Sequence, residues 1–348
     1  MRKIADRCLV LLAVLLLLIP ALFVNFKPDQ ISHIENRALA EPVPIQEGLN
    51  AFMSALDDSI NDRIGFRDPV MQFYNNLYYK HLQGNHGQVI VGKEGWLFFK
   101  DSIPEYTGTN YDEETTAYQV SIVKALDEWC RQRDIQLIFA IYPSKTAVYD
   151  NYMPDYLQQA QRLRMDLVVE MLEQEGILVT YAKNALVANR DTQELYRRSD
   201  THWNAFGARY ALEDMLDKLG LPSYDIPVEQ GWAQDGDLQT MLGAGWSGHH
   251  SIVATVTPKE GSSFEPLEGN DFYIHSPDTK KIVCYRDSFH LCLTDYYTYY
   301  FHGPVIWNFT LDFDYIEQES PDYLLVGFVD RNFDFLTSVN AGVLDLVS

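Results

Sequence analysis

The chain is 348 residues long, 47% hydrophobic and 22% charged. It can bury one large α/β core plus an appendage, or two small ones, and is too apolar for a disordered chain. Its 27 Lys and Arg against 49 Asp and Glu give a formal net charge of −22; such a surface repels phosphate backbones, so nucleic acid is not an expected partner, and acidity by itself selects no other substrate.

At the N-terminus, Arg2, Lys3 and Arg7 precede an apolar run from Cys8 to Phe26 that Lys27 closes. A helix needs roughly 20 apolar residues to cross a bilayer, and the flanking basic residues stay cytoplasmic. No small-x-small cleavage site follows. The pattern predicts a cytoplasmic tip and an uncleaved transmembrane anchor over residues 1–27, with the remainder outside the cytoplasm; secretion after cleavage is the alternative. Residues 1–27 hold four basic residues and one acidic, so the rest carries −22 − 3 = −25. Beyond the anchor, Cys130, Cys284 and Cys292 allow at most one disulfide and form no CxxC, so neither a metal site nor a redox site is expected, and no cofactor.

Residues 28–85 read as a juxtamembrane section, with helix-like apolar spacing through Leu49–Leu56 and Val70–Leu82 and a break at Gln83–Gly87. A domain over 86–348 follows. QVIVGKEGWLFF (88–99) predicts two short strands around Gly92–Gly95. Helical spacing over Glu113–Asp134 precedes the continuous apolar strand 135–143; a helix over Tyr156–Glu175 precedes a strand at 177–182; a helix spans Asn204–Leu219. Strands at 281–285, 304–309 and 322–329 complete an alternation that predicts a doubly wound, mostly parallel α/β sheet. The Gly- and Ser-rich stretch 221–278 reads as an irregular insertion over one sheet edge. The aromatic stretch 294–303 reads as a half-buried core segment.

Two segments carry residues suited to nucleophilic chemistry. They are SDTHWN, Ser199–Asn204, and YRDSF, Tyr285–Phe289, directly after the strand KIVCY. A serine hydroxyl needs a base to take its proton and donors to hold the oxyanion. Ser288 stands at the carboxyl end of an expected parallel strand, where α/β folds place their sites, although a serine there alone reads more simply as a helix cap. The backbone N–H of Ser288 or Phe289 is the expected oxyanion donor. Asp200 and His202 share a face if their segment is extended, which lets the carboxylate fix the imidazole tautomer; a structural histidine in a polar loop is the competing explanation. Trp203 and Asn204 flank this pair and are candidate substrate contacts. Trp203 serves equally well as packing beneath His202. Lys145 and Arg331, each after an apolar strand, are candidates to hold an anionic sugar, with surface ion pairs the simpler explanation.

Together the two segments resemble the alginate O-acetyltransferase family (AlgX/AlgJ-like, also called DHHW proteins), whose domain is SGNH-hydrolase-like. ENRALAEP (35–42), NDRIGFRD (61–68), VIVGKEGWLFF (89–99), YTG (106–108), YPSKTAVY (142–149) and PDYLLVGFVDRN (321–332) stand in the matching order. The resemblance implies a catalytic triad of Asp200, His202 and Ser288, in the circularly permuted order relative to ordinary SGNH esterases. Thr201 stands where the DHHW motif has His, and Arg286 where the hydrolase Gly-Asp-Ser turn has Gly. No C-terminal carbohydrate-binding module is evident. The implied function is an extracytoplasmic transfer of acetyl groups to hydroxyls of a polysaccharide acceptor, with acetyl supplied by a membrane-bound O-acyltransferase partner. Two rivals use the same residues: an acetylesterase with water as acceptor, and a non-catalytic scaffold of an export complex, which Arg286 keeps open.

Overall fold

A computed structural model describes residues 2–27, 30–32, 37–40, 56, 58–71, 73–74, 87–233, 236–242, 251–277 and 279–347. The chain divides into two compact units, one of residues 1–90 and 237–248, the other of 91–236 and 249–348.

In the first unit, Arg2–Leu22 form a helix that contains Pro20. Among the described residues no helix is long and apolar enough to cross a membrane. The helix thus stands where the anchor was expected, but its described side chains do not make up a bilayer-crossing length. Residues 58–63 and 67–71 are helical. Asp62 accepts the Ala40 N–H at 2.8 Å and Arg63 donates to the carbonyls of Ala40 and Lys27, so the ENRALAEP and NDRIGFRD segments are tied together. The expected spacing over Leu49–Leu56 and most of Val70–Leu82, and the break at Gln83–Gly87, lie largely outside the described residues.

The second unit is built on a seven-stranded sheet. In chain order its strands are β1 (Gln136–Tyr142), β2 (Val179–Thr180), β3 (Ser263–Pro266), β4 (Phe272–His275), β5 (Lys280–Arg286), β6 (Phe301–Ile306) and β7 (Tyr323–Val329). Their spatial order is β2-β1-β7-β5-β6-β4-β3; the first five run parallel, and β4 and β3 add an antiparallel edge. The doubly wound expectation holds. Helices α1 (Glu113–Arg131) and α2 (Arg164–Gln174) pack Val123, Leu126, Met165 and Val168 on the face that carries Leu137, Phe139 and Val326. Helix α3 (Ala205–Leu219) lies by the opposite face, where the Tyr297 hydroxyl meets Met215.

The departures from sequence expectation have local causes. Helix α2 starts at Arg164, not Tyr156. The Glu105 carboxylate accepts the Met165 N–H at 2.9 Å and so sets the first turn, while Leu163 stays extended. The strand expected at 177–182 keeps only two residues, because the Tyr181 N–H is diverted to Asp214. Strand β6 begins inside the tyrosine-rich stretch and stops at Ile306, since the Trp307 N–H goes to the Asp271 carboxylate. Within 221–278 the described residues include regular structure: 228–233 pair antiparallel with 251–256, and β3 and β4 form the sheet-edge pair. No disulfide forms among Cys130, Cys284 and Cys292, all of which are free thiols.

Gly327 explains why β7 lies so close to β1 where both near the site. A Cβ there would sit 2.3 Å from the Tyr142 hydroxyl. Gly327→Ala is expected to destabilise the protein by about 1–3 kcal/mol through overpacking, read as a shifted denaturation midpoint.

Candidate active site

Strand β5 ends at Arg286, opposite Gly327 of β7, and the next residues turn out of the sheet at its carboxyl end. Asp287 makes that turn. Its Oδ1 accepts the Phe289 N–H at 2.9 Å, and its Oδ2 accepts the Val329 N–H at 2.7 Å and the Asn332 amide at 3.0 Å. The buried carboxylate therefore clamps the turn to the end of β7. Burial pushes its pKa up; the Val329 N–H and the charge of Arg331 work against that. Arg286 occupies ordinary extended backbone, and no positive φ occurs at the turn. Glycine is not needed there, so the departure from Gly-Asp-Ser leaves the turn intact. The Phe289 N–H is taken by Asp287 and is not an oxyanion donor; among the described residues the Ser288 N–H is given no acceptor.

The acid–base segment is a closed loop and not an extended strand. The Arg197 N–H donates to the His202 carbonyl at 3.1 Å, and Tyr196 and Trp203 form a bridge at its base. Asp200 Oδ1 accepts both the His202 backbone N–H at 3.0 Å and Nδ1 at 2.6 Å, a local Asx arrangement that brings i and i+2 together by turning the chain. His202 Nε2 lies 2.8 Å from the Ser288 hydroxyl oxygen. A carboxylate only accepts, so the Nδ1 proton points to Asp200 and Nε2 is left to accept from serine. The Thr201 hydroxyl is also 3.1 Å from Nδ1. Burial raises the Asp200 pKa, but the hydrogen bond and charge of His202, followed by the charge of Arg197 at 2.6 Å, outweigh it and hold the carboxyl well below its ordinary range.

The structure thus brings together Asp200, His202 and Ser288. Of the other candidates, Trp203 and Asn204 also line the cleft at Ser288, whereas Lys145 and Arg331 are not among its walls. Lys145 is buried, and its ammonium donates to the backbone carbonyls of Arg197, Arg198 and Asp200 at 2.9, 3.2 and 2.5 Å. With those donors in use it holds the loop instead of a sugar anion. Trp203 is fully buried and its indole N–H donates to the Phe289 carbonyl at 2.8 Å, so it packs against the serine turn while still contributing to the cleft wall. Asn204 caps α3, accepting from Gly207 and donating to Glu194. The Arg331 guanidinium lies between the rings of Phe99 and Phe289, 5.1 and 5.3 Å from their centroids. Sequence reasoning missed Arg197, for which the i,i+3 spacing to Asp200 was the available signal, and the clamping role of Asp287. A cleft of about 460 Å³ opens at Ser288, with His202, Val253, Ala254, Leu291 and Trp307 among its walls.

Residues 89–260 match the family model described as the SGNH hydrolase-like domain of the acetyltransferase AlgX. That span contains Asp200 and His202 and ends before Ser288. The chain is 23% identical over 154 residues to the probable alginate O-acetylase AlgJ of Pseudomonas syringae pv. tomato, covering 42% of this chain and 38% of the relative. To AlgJ of Pseudomonas aeruginosa it is 23% identical over 188 residues, 50% of this chain and 45% of the relative. The aligned region thus spans less than half the length of these curated relatives. The fold is similar to the O-acetyltransferase domain of Pseudomonas putida AlgJ, with TM-score 0.53 at 18% identity over 74% of this chain and 99% of that one. Bacillus cereus PatB1 matches with TM-score 0.55 at 12% identity, over 70% and 96%. The family resemblance and the SGNH-like α/β fold are therefore shown.

Lys145→Met removes a buried donor shared by three carbonyls, of which those of Arg197 and Arg198 keep a backbone N–H; a loss of about 1–3 kcal/mol in unfolding free energy is expected. A second expectation concerns pH. Burial first, then the charge of Glu105, raises the Asp330 pKa to about 6, above its ordinary 3.8. The folded state therefore binds a proton that the unfolded state lacks between those values, so this group adds stability as pH falls from about 6 towards 3.8. Denaturation of Asp330→Asn against the parent across that window should show the gain lost in the variant.

Proposed function

We propose that the chain is a polysaccharide O-acetyltransferase that works through an acyl-enzyme on Ser288. His202 takes the Ser288 proton as the oxygen attacks the carbonyl carbon of an acetyl donor. A tetrahedral oxyanion forms, with the Ser288 backbone N–H as a donor to it, and collapses with loss of the protonated leaving group. His202 then deprotonates an acceptor hydroxyl, which attacks the acyl-enzyme, frees Ser288 and carries away the acetyl group. Asp200 keeps the imidazole in the required tautomer and stabilises the imidazolium in each half-reaction. The observation that carries this reading is the unbroken chain Asp200–His202–Ser288 at 2.6 and 2.8 Å, opening on a cleft.

Acetyl transfer, rather than another acyl chemistry, draws on the relatives, whose names say alginate O-acetylase. Membrane attachment with the catalytic unit outside the cytoplasm draws on the charge order of residues 1–27, and on Leu9, Val10, Leu11, Leu18 and Leu22 standing exposed on the N-terminal helix. Acetyl-CoA is absent there, so the donor is an acetyl group handed over by a membrane-bound O-acyltransferase partner.

A chromogenic acetate ester tests the nucleophile. The full chain in detergent should release chromophore, and Ser288→Ala should lower kcat by about 10³-fold or more, with Asp200→Asn also deeply impaired. Full activity in Ser288→Ala sinks the assignment. Counting O-acetyl groups on the exported polymer of a strain without the protein separates transfer from hydrolysis: transfer predicts loss, an esterase predicts gain.

A further inference from the structure

The cleft at Ser288 is walled by Val253, Ala254, Leu291 and Trp307 on its apolar sides. Trp307 follows β6 directly, lines the cleft and is 41% exposed. Two contacts hold it there. Its backbone N–H donates to Asp271 at 2.7 Å, and the buried Arg286 guanidinium lies 4.7 Å from its ring centroid. Arg286 is itself fixed by a 2.9 Å hydrogen bond to the Asn270 carbonyl and by the Phe272 ring on another side. The guanidinium thus lies over one face of the indole, while the side chain as a whole stays partly exposed beside the cleft. A flat, rigid aromatic face of this kind suits the apolar C–H face of a pyranose ring.

The charges around the cleft bear on which sugar. Among the described residues the cleft's walls include one cation, Arg197, and it is ion-paired with Asp200 at 2.6 Å. Lys145 faces backbone carbonyls. The charge of Arg331 acts on the buried carboxylates of Asp287 and Asp330. Among the described residues, the cleft's walls thus offer a substrate carboxylate no cation that lacks a carboxylate partner of its own.

Building on the acyl-transfer reading above, we propose that the acceptor is an uncharged sugar polymer, one ring of which stacks on the Trp307 indole with Arg286 as the positioning residue behind it. This differs from the uronate polymer named for the curated relatives. Specificity then lies in the shape of an aromatic wall and in the absence of an anion site.

Calorimetric titration of the full chain in detergent, carrying Ser288→Ala, reads binding without turnover. The probes are cello-, manno- and chito-oligosaccharides against oligomannuronate. At least one uncharged oligomer should bind saturably, with little dependence on salt, and oligomannuronate at least about tenfold more weakly. Adding Trp307→Ala should weaken the uncharged oligomer by at least about tenfold, and Trp307→Phe should restore most of it. Trp232→Ala is the control: Trp232 pairs with Ile252 and so points to the hairpin face opposite Val253, and binding should be unchanged. Oligomannuronate binding as tightly as the uncharged probes, no uncharged probe binding, or Trp307→Ala binding like its parent overturns the proposal. None of these results touches the Ser288 assay with chromogenic acetate, which judges the acyl-transfer reading separately.

Discussion

A buried ammonium organises the catalytic end of this molecule. Removing a lysine charge from water costs several kcal/mol unless its donors are matched, and Lys145 matches them with the carbonyls of Arg197, Arg198 and Asp200. The loop must curl around that point, and curling is what lets one Asp200 oxygen take both the backbone and the ring N–H of His202. Lys145 sits just after β1, so the position of the acid–base pair is inherited from the central sheet. Trp96 and Phe98 place their rings 5.7 and 5.5 Å from the same ammonium, which keeps water from competing for it.

The nucleophile is held by the mirror-image solution, a buried anion among donors. Asp287 gathers two backbone N–H groups and the Asn332 amide, joining the turn after β5 to the end of β7. A cation-centred loop and an anion-centred turn thus meet at the 2.8 Å contact between His202 and Ser288. The cost of burying each charge is offset locally by its own set of backbone and amide partners.

Much of this was legible in the sequence. Continuous apolar runs marked β1, β5 and β7, because strands buried on both faces have no polar alternation to blur them. That Asp200, His202 and Ser288 belong together was legible as two short polar segments beside such strands. The roles of Lys145 and Asn204 were not, and Trp203 was left between lining and packing, since type and position alone do not say whether a polar or aromatic group faces a ligand or the chain's own backbone. The start of α2 was misread for the same reason: Glu105, about sixty residues earlier, supplies the cap. The 221–278 stretch hid its strands because edge hairpins are short and half exposed. Arg286 looked like damage to a glycine turn, when β5 simply runs one residue further in extended form and turns at Asp287.

The hydrogen bond from the Trp203 indole to the Phe289 carbonyl spans 86 residues. It joins the underside of the histidine loop to the underside of the serine turn, and contacts so distant along the chain close late in folding. During synthesis from the N-terminus, His202 and Asp200 emerge well ahead of Ser288. The Ser288–His202 contact therefore cannot form until β5 has been made and has taken its place beside β7.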